Sequence, residues 1–364
     1  MSLRCALLYG GKSGEHEVSL QSAASVFRNM DRSRFDPMLV GIAKDGCWYL
    51  QPQEIHEAGL EPDTALKIVE DPTLRVECRP GVGLFCSQEQ LQLDVVFPVL
   101  HGSLGEDGTV QGLLEVVELP YVGAGVLGSS VGMDKDLVKQ LWRAHGIPTL
   151  DSLTASAVEL SSVSKRQAFV TRCVETFGPM LFVKPARTGS SVGITKTHSA
   201  EEIEPAVQNA LKYDTKVLIE PAQPVREIEI SVIGNGAPYA YPPGEVVPNH
   251  EFYDYDAKYL DPEGAQLMVP AQLDSGVMEK ARAIAVAAYS AAACEGMARV
   301  DLFVIQDTQE LVVNEINTIP GFTRISMFPR MCAAAGLAYP ELISQLIDLA
   351  LERETIRASL RYER

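Results

Sequence analysis

The segment KPARTGSSVG, from Lys184 to Gly193, is the strongest indicator of the fold of this chain. An apolar stretch at 180–183 reads as a strand that ends at Lys184, and a flexible loop follows it. Backbone amides and hydroxyls in such a loop can fold around phosphate oxygens. Four loop residues would supply them: Gly189, Ser190, Ser191 and Gly193. A lone lysine at a strand end would carry little information, but the lysine and the loop together predict a phosphate site.

Two later strand-like runs carry hard oxygen donors. RVDLFVI begins at Arg299 and contains Asp301, and LVVNEIN contains Glu315 and ends at Asn317. Residues two apart on a strand share a face, and Mg²⁺ prefers carboxylate and amide oxygens. The alternative is that the carboxylates are solvated and that Arg299 is their surface salt-bridge partner, worth about 0–1 kcal/mol. A carboxylate inside an apolar run is costly to bury unless it is paired or bound to a metal. This cost favours a magnesium site beside the phosphate loop. ATP binding requires that arrangement.

Composition limits the class of partner. The 364 residues are 46% hydrophobic and carry a net charge of −17, which disfavours binding to nucleic acid or to an anionic membrane and favours a small substrate. No apolar run approaches the roughly 18 residues of a membrane span, and the first residues enter a strand directly. The seven cysteines are scattered and form no CxxC pair. The sequence therefore predicts a reduced, cytoplasmic enzyme.

The order of patterns predicts three domains, at 1–122, 123–222 and 223–364. The first alternates strands with an amphipathic helix at 18–29, which indicates an open α/β sheet. The second follows a linker-like glycine cluster at 122–128 and contains a helix at 135–145 and an antiparallel β region. The third contains a long loop rich in Pro, Tyr, Asp and Gly, a helix at about 275–294, the two strands with oxygen donors, and a closing helix after Pro340.

Seven motifs in this order resemble those of the D-alanine–D-alanine ligases of the ATP-grasp superfamily over nearly the whole chain. The motifs are GGKSGEHEVSLQSA from Gly10, HGSLGEDGTVQG from His101, MDK from Met133, KPARTGSSVG from Lys184, IEPAQPVREIEI from Ile219, YDYDAKY from Tyr253, and RVD from Arg299 with NEINTIPGFTRIS from Asn314. The resemblance implies an α/β, ATP-grasp fold preceded by an open α/β domain. It also implies ligation of two D-alanines through an acyl phosphate, for peptidoglycan precursor synthesis, by a homodimer.

The resemblance also implies which residues bind ATP. The ATP-binding set is Lys135, Lys184, Ser190, Ser191, Glu220, Gln223, Glu227, Asn314 and Glu315, with Glu220, Gln223 and Glu227 at the base and ribose. Two Mg²⁺ ions, or Mn²⁺, would be held by Asp301, Glu315 and Asn317. Such a site works mainly by neutralising charge on the transferred phosphoryl group.

The amino acid subsites are also assigned by resemblance. Glu15, Ser190, Tyr259 and Arg299 form the catalytic set, with Glu15 paired to the ammonium of the first D-alanine. The substrate-binding set is Glu15, His101, Lys258, Arg299, Gly321, Ser326 and Met327. The loop at about 248–260 is the expected lid, which would exclude water from an acyl phosphate.

Three alternatives remain open. The first is a P-loop: ALLYGGKS, from Ala6 to Ser13, fits a relaxed form of that pattern. Its first residues are predicted to be strand, which leaves only two glycines to form a loop around phosphates. The segment is therefore interpreted as a turn that presents Glu15. A ligase for D-lactate or another amino acid is the second alternative, and the intact AKY ending at Tyr259 argues against D-lactate. A regulatory protein that binds ATP without turnover is the third.

Overall fold

The first part of the chain forms a mixed, mostly parallel sheet flanked by helices. The computed structural model describes residues 2–61, 64–249 and 265–361. The elements here are β1 (Leu3–Gly10), α1 (His16–Asn29), β2 (Phe35–Ile42), β3 (Trp48–Leu50), α2 (Gln53–Gly59), a 3-10 helix (Pro72–Leu74), β4 (Val76–Arg79), β5 (Gly83–Cys86), β6 (Glu89–Gln90), β7 (Val95–Val99) and α3 (Thr109–Val116). The order β3-β2-β1-β7 puts β1 between two parallel neighbours. The turn after β1 therefore lies at the carboxyl edge of the sheet, where ligands bind in open α/β folds.

The middle of the chain is built around an antiparallel sheet ordered β10-β9-β11-β8. Its elements are α4 (Val126–Met133), α5 (Lys135–Ala144), β8 (Leu153–Ser156), α6 (Val163–Phe177), β9 (Leu181–Pro185), β10 (Thr195–Thr197), α7 (Ala200–Ala210) and β11 (Lys216–Pro221). Asp134 caps α5 by accepting the backbone N–H groups of Asp136 and Leu137, at 3.1 Å each. This cap fixes the start of α5, and with it Lys135 in the first turn.

The last part of the chain forms a second antiparallel sheet, ordered β15-β14-β12-β16-β17, with β13 beside β12. Its elements are β12 (Val225–Ile233), β13 (Tyr239–Ala240), β14 (Gly244–Pro248), β15 (Ala265–Met268), α8 (Ser275–Ala291), β16 (Met297–Ile305), β17 (Leu311–Asn317), α9 (Met327–Ala334) and α10 (Tyr339–Ala358). Along β16, Val300, Leu302 and Val304 are buried in the cluster that includes the alanines of α8. The alternate residues Arg299 and Asp301 are partly exposed on the other face, because side chains alternate along a strand.

The predicted helices at 18–29, 135–145, 275–294 and after Pro340 are confirmed by α1, α5, α8 and α10. The antiparallel β region on both sides of the phosphate loop is also confirmed. The division into three domains stays a prediction. In the described part of the chain, no helix is both long and apolar enough to cross a membrane, and the cytoplasmic location also stays a prediction.

The glycine cluster at 122–128 differs from the expected linker. Helix α4 begins at Val126, so the second half of the cluster is helical. A Cβ atom at Gly128 would lie 2.6 Å from the carbonyl oxygen of Ala293. Glycine is therefore required here for close packing of α4 against the turn that follows α8, and the sequence alone does not distinguish this use of glycine from flexibility.

Candidate active site

Two adjoining cavities lie between the sheets. The larger, of about 410 Å³, is lined by residues of β9, β11, β12, β16 and β17. Its lining contains Lys135, Lys184, Ser190, Ser191, Glu220, Gln223, Glu227, Asn314 and Glu315, the complete predicted ATP set. The smaller, of about 180 Å³, is lined by Glu15, His101, Arg299, Asn317, Gly321, Ser326 and Met327, among others. The cavities share Lys135, Ser190, Arg299 and Glu315.

The phosphate loop after β9 adopts a strained backbone. Ser190 and Ser191 have φ angles of +50° and +58°, in the left-handed region that residues other than glycine rarely occupy. Two turn hydrogen bonds support this conformation, from Val192 N to Gly189 O at 3.1 Å and from Ile194 N to Ser191 O at 3.3 Å. Strain of this kind is typical of ligand-binding loops, and it points to a loop shaped for an anion.

Lys184 and Glu220 project from neighbouring strands into the larger cavity. Lys184 Nζ donates to Glu220 Oε2 at 2.6 Å, and Lys139 Nζ lies 2.6 Å from Oε1 of the same carboxylate. Burial by itself raises the pKa of Glu220, but the charges of Lys139 and Lys184 lower it to about 2. Burial by itself lowers the pKa of Lys184, and the charge of Glu220 reverses that shift, so that its pKa is raised. Glu220 is therefore ionised between two ammonium groups.

Three carboxylates form a row across β12, β16 and β17. Glu229 is in register with Asp301, and Asp301 is in register with Glu315. Like charges at directly opposed positions of a sheet are destabilising unless a cation neutralises them. Arg299 supplies one cation: its Nε and Nη2 donate to the two oxygens of Asp301 at 2.7 Å each, and its Nε lies 3.3 Å from Glu229 Oε2.

Lys135 connects the phosphate loop to this carboxylate row. Its Nζ donates to the carbonyl oxygen of Thr188 at 2.8 Å and lies 3.1 Å from Glu315 Oε2. Its backbone N–H donates to the carbonyl oxygen of Ala186 at 3.0 Å. The first turn of α5 is thereby fixed to the end of β9, and one ammonium group lies where both cavities meet.

Glu15 brings the N-terminal sheet into contact with the phosphate loop. It lies just before α1 and is 9% exposed, and its Oε1 accepts a hydrogen bond from the hydroxyl of Ser190. Gly102 packs so closely that a Cβ atom there would lie 2.5 Å from Glu15 Oε2. The carboxylate is therefore confined between two loops that are distant in sequence.

His101 and Glu106 form a buried pair at the bottom of the smaller cavity. His101 Nδ1 lies 3.1 Å from the carbonyl oxygen of Ile319, to which it can only donate, and 3.6 Å from Glu106 Oε1. Its Nε2 is 3.0 Å from the hydroxyl of Ser22. Burial raises the pKa of Glu106 to about 7 despite the opposing effect of His101. Burial by itself lowers the pKa of His101, but the carboxylates of Glu106 and Glu15 outweigh that effect, so the pKa of His101 is raised.

The far end of the smaller cavity is formed by the turn between β17 and α9. The Ser326 hydroxyl accepts a hydrogen bond from Thr323 N at 3.0 Å, and Met327 is 5% exposed at the start of α9. A Cβ atom at Gly321 would lie 2.7 Å from Ser326 Oγ. Close backbone approach therefore keeps this end of the cavity small.

Some predicted positions lie outside the described residues, and some site residues were not predicted. Lys258, Tyr259 and the greater part of the expected lid fall in 250–264, outside the described ranges. Glu229 and Glu106 line these cavities but were not singled out. Glu229 lies in the motif segment REIEI and Glu106 in the motif segment GEDG. An acidic residue that lies inside a motif and has no assigned role was therefore the signal that could have identified them.

The predicted metal ligands are side chains with hard oxygen donors. Among the described residues, no group of three or more His, Cys, Asp or Glu side chains is arranged to hold a metal ion. Asp301, Glu315 and Asn317 nevertheless fit Mg²⁺ by chemistry, because two opposed carboxylates and an amide on one sheet face are hard oxygen donors. Asp301 forms an ion pair with Arg299, and Glu315 forms an ion pair with Lys135. The positive charges on this acidic face are therefore side chains of the protein.

Comparison with known proteins gives consistent matches over the chain. The family model described as D-ala D-ala ligase N-terminus matches residues 4–124, and the model described as D-ala D-ala ligase C-terminus matches residues 141–348. A D-alanine–D-alanine ligase of Treponema denticola is 44% identical over 356 residues, covering 96% of each chain. A D-alanine–D-alanine ligase A of Bradyrhizobium diazoefficiens is 46% identical over 369 residues, covering 98% of this chain and 97% of its own.

Solved structures agree in fold as well as in sequence. The D-alanine–D-alanine ligase of Coxiella burnetii matches with a TM-score of 0.83 and 36% identity, over 98% of this chain and 96% of its own. A D-Ala:D-Ser ligase of Enterococcus faecalis matches with a TM-score of 0.81 and 33% identity, over 96% of this chain and 100% of its own. The predicted mixed α/β, ATP-grasp fold is confirmed. On these matches, the chain belongs to the family of D-alanine–D-alanine ligases.

Proposed function

We propose that this protein joins two molecules of D-alanine into D-alanyl-D-alanine at the expense of ATP, which becomes ADP and phosphate. The dipeptide is a precursor of peptidoglycan. The observation that carries the proposal is that a large and a small cavity meet at Lys135, Ser190, Arg299 and Glu315. A nucleotide in the larger cavity and an amino acid in the smaller one would bring a phosphoryl group and a carboxylate together at that junction.

The first step is phosphorylation of a carboxylate. An oxygen of the first D-alanine carboxylate attacks the γ-phosphorus of ATP, the bond to the β-phosphate oxygen breaks, and ADP leaves. Glu15 pairs with the ammonium of this D-alanine and so directs its carboxylate toward the junction. Proximity of this kind supplies up to about 7–11 kcal/mol in model reactions. Lys135, Lys184 and the strained loop at Ser190 and Ser191 bind the phosphates, and Glu220, Gln223 and Glu227 bind the base and ribose.

The second step forms the peptide bond. The amine of the second D-alanine, held near Gly321, Ser326 and Met327, attacks the acyl carbon, and phosphate leaves with one oxygen of the original carboxylate. Arg299 stabilises negative charge on the tetrahedral intermediate. Removing a donor of this kind typically costs about 2.7–4 kcal/mol in the barrier. The amine loses a proton in this step, and that proton leaves with the phosphate as HPO₄²⁻.

We assign two Mg²⁺ ions, or Mn²⁺, to Asp301, Glu315 and Asn317. A metal held by these three side chains would supply neutralisation of charge on the phosphates and polarisation of the phosphoryl group. The support is the donor chemistry of these three side chains and their position on the face that lines both cavities. Lys135 and Arg299 lie against the same carboxylates and hold them toward the junction.

A second candidate for the acceptor is D-serine. The observation that favours it is the similarity to the D-Ala:D-Ser ligase of Enterococcus faecalis. D-lactate is disfavoured by the intact AKY segment at 257–259, which lies outside the described residues. We assign D-alanine because the relatives with 44–46% identity over nearly the full length are D-alanine–D-alanine ligases.

The experiment measures phosphate release from Mg-ATP with D-alanine alone, with D-alanine plus D-serine or D-lactate, with L-alanine, or with no addition, and the product is identified by mass. We expect phosphate only when D-alanine is present, with one D-alanyl-D-alanine formed for each phosphate. A mixed D-Ala–D-Ser product formed in preference would move the assignment to the second candidate. ATP binding without turnover under any condition would favour the non-catalytic alternative.

We also propose that the protein is a homodimer, as the resemblance implies. The supporting observation is a group of exposed apolar side chains around a small cavity of about 230 Å³. Ile356 and Leu360 line that cavity beside Gly125, and Leu127 is 65% exposed on the adjoining helix α4. Exposed apolar patches of this kind mark interfaces. Sedimentation should give a dimer that Leu127→Glu weakens and the control Val158→Glu, at another exposed position, does not.

A further inference from the structure

Lys139 is a buried charged residue to which the reaction above gives no role. It lies on α5 one turn after Lys135, and its side chain is 1% exposed. Trp142, on the same helix, donates from Nε1 to the carbonyl oxygen of Ala288 at 2.9 Å and anchors α5 against α8. Lys139 lines neither of the two cavities of the active site. A buried ammonium group is costly unless it is paired, so its partner should indicate its purpose.

The partner of Lys139 is Glu220, one of the residues assigned to the nucleotide. Lys139 Nζ lies 2.6 Å from Glu220 Oε1, and Lys184 Nζ donates to Oε2 at 2.6 Å. In the described part of the chain, Lys139 Nζ makes no hydrogen bond of regular geometry, so this ion pair is its main polar contact. One carboxylate therefore faces two ammonium groups, one at each of its oxygens.

The two lysines differ in their freedom to move. The side chain of Lys139 is enclosed by the helix and the sheet, whereas the side chain of Lys184 is 10% exposed and lines the larger cavity. Lys184 and Glu220 stand on adjacent antiparallel strands at diagonal positions, with Lys184 opposite Leu218 and Glu220 opposite Phe182. Lys184 can therefore turn toward the phosphate loop, while Lys139 is buried and lines neither cavity.

We propose that Lys139 is a positioning residue for ATP binding: it stays paired with Glu220 and thereby allows Lys184 to leave that carboxylate for a nucleotide phosphate. The inference rests on the proposed function, since it takes Lys184 and Glu220 as nucleotide ligands. When Lys184 leaves, Glu220 Oε2 becomes available as an acceptor for an amino group on the base. A single exchange thus supplies a donor to the phosphates and an acceptor to the base.

The physical reason is the cost of leaving a buried carboxylate unpaired. Without Lys139, Glu220 would keep Lys184 as its counter-ion, because removing one partner of a buried ion pair is strongly destabilising. ATP would then have to break the Lys184–Glu220 pair without compensation. With Lys139 present, the carboxylate remains neutralised after Lys184 has moved, and the exchange costs little.

The test is a cycle of four proteins: wild type, Lys139→Met, Glu220→Gln and the double variant. Methionine approximates the length of lysine without its charge. Isothermal calorimetry would measure the Kd of Mg-ATP, and steady-state assays would separate KM for ATP from kcat. We expect Lys139→Met to raise Kd and KM about 30-fold and to change kcat less than about threefold, because a buried pair must be broken before the phosphates bind.

The Glu220→Gln background separates positioning from packing. There, Lys184 is free without help, so adding Lys139→Met should change Kd less than about threefold relative to Glu220→Gln alone. The control Lys280→Met removes an exposed helical lysine from α8 and should leave Kd unchanged. Thermal unfolding of each variant shows whether it is folded.

Two results would overturn the inference. One is an unchanged Kd in Lys139→Met, and the other is an equal loss of affinity in the wild-type and Glu220→Gln backgrounds, which would mean that Lys139 only fills space. If Lys139→Met alone does not fold, the double variant is compared with Glu220→Gln: matching ATP affinities support the inference and a gap of tenfold or more overturns it. A wild type that binds Mg-ATP but forms no dipeptide would refute the proposed function, while the binding cycle would still test Lys139.

Discussion

Substitution of Gly102 by alanine should displace Glu15 without unfolding the protein. Gly102 has a φ angle of +74°, and a Cβ atom there would lie 2.5 Å from Glu15 Oε2. Ordinary van der Waals contact begins at 3.4 Å, so the carboxylate must move by the difference between 3.4 and 2.5, which is about 1 Å. The obstructing atom is the end of a flexible side chain, so the side chain gives way and the backbone stays in place.

The expected loss of activity follows from this displacement. A misplacement of about 1 Å in a positioning group can cost about 100-fold in rate. Glu15 would also lose its hydrogen bond from Ser190, which holds it beside the phosphate loop. Separately, an alanine in the left-handed region costs about 1–2 kcal/mol of stability through its backbone. The loss of activity therefore has to be separated from the loss of stability.

Gly146→Ala is the matched control. Gly146 has a φ angle of +71°, and apart from its chain neighbours no described residue has an atom within 4 Å of its Cβ position, so alanine there meets the same backbone strain without contact with Glu15. Dipeptide formation at varied D-alanine would give kcat/KM, and urea unfolding would give stability. We expect similar losses of stability in both variants and a loss of about 100-fold in kcat/KM only for Gly102→Ala. Equal kcat/KM values would refute the placement of Glu15 at the first D-alanine.

Three further predictions address the remaining parts of the site. Lys184→Ala and Glu315→Gln should each lower kcat/KM by at least about 100-fold with an unchanged unfolding midpoint, because each removes charge that acts on the phosphates. Wild-type rates in either variant would contradict the assignment of that residue to the ATP site. Removal of divalent cations with a chelator should abolish phosphate release and added Mg²⁺ should restore it, whereas full activity in the chelator would remove the metal from the mechanism. Burial raises the pKa of Glu106 from 4.5 to about 7, so the folded protein keeps a proton that the unfolded chain releases. The wild type should therefore lose unfolding free energy between about pH 5 and pH 8 and Glu106→Gln should lose less, and parallel urea-unfolding trends for the two proteins would contradict this.

Local sequence was sufficient where a role depends on neighbours in the chain. Lys184 lies at the end of a strand, and a loop of small residues follows, so the sequence alone predicted a lysine beside a phosphate-binding loop. In the structure that loop forms two hydrogen-bonded turns. Glu315 and Asn317 could be assigned to one strand face by their spacing alone. In β16 as well, apolar residues alternate with Arg299 and Asp301.

Contacts between distant segments could not be read in this way. The alignment of Glu229 with Asp301 depends on the register of β12 and β16, and no local pattern fixes a register between strands about seventy residues apart. The pairing of Lys139 with Glu220 depends on how α5 packs against β11. On α5 alone, Lys139 is one of several charged residues, and only the fold distinguishes a solvated lysine from a buried one. The same applies to Gly102, whose need for glycine comes from Glu15 in another loop.

The central claim is that ATP phosphorylates the carboxylate of D-alanine before the peptide bond forms. Its most direct test is transfer of an oxygen atom, with D-alanine labelled with ¹⁸O in both carboxylate positions, unlabelled Mg-ATP and mass analysis of the products. We expect one ¹⁸O atom in each released phosphate. The other ¹⁸O atom of that carboxylate should remain in the peptide carbonyl of the dipeptide. Phosphate without label, which would indicate attack of water on ATP, or release of AMP in place of ADP, would contradict it.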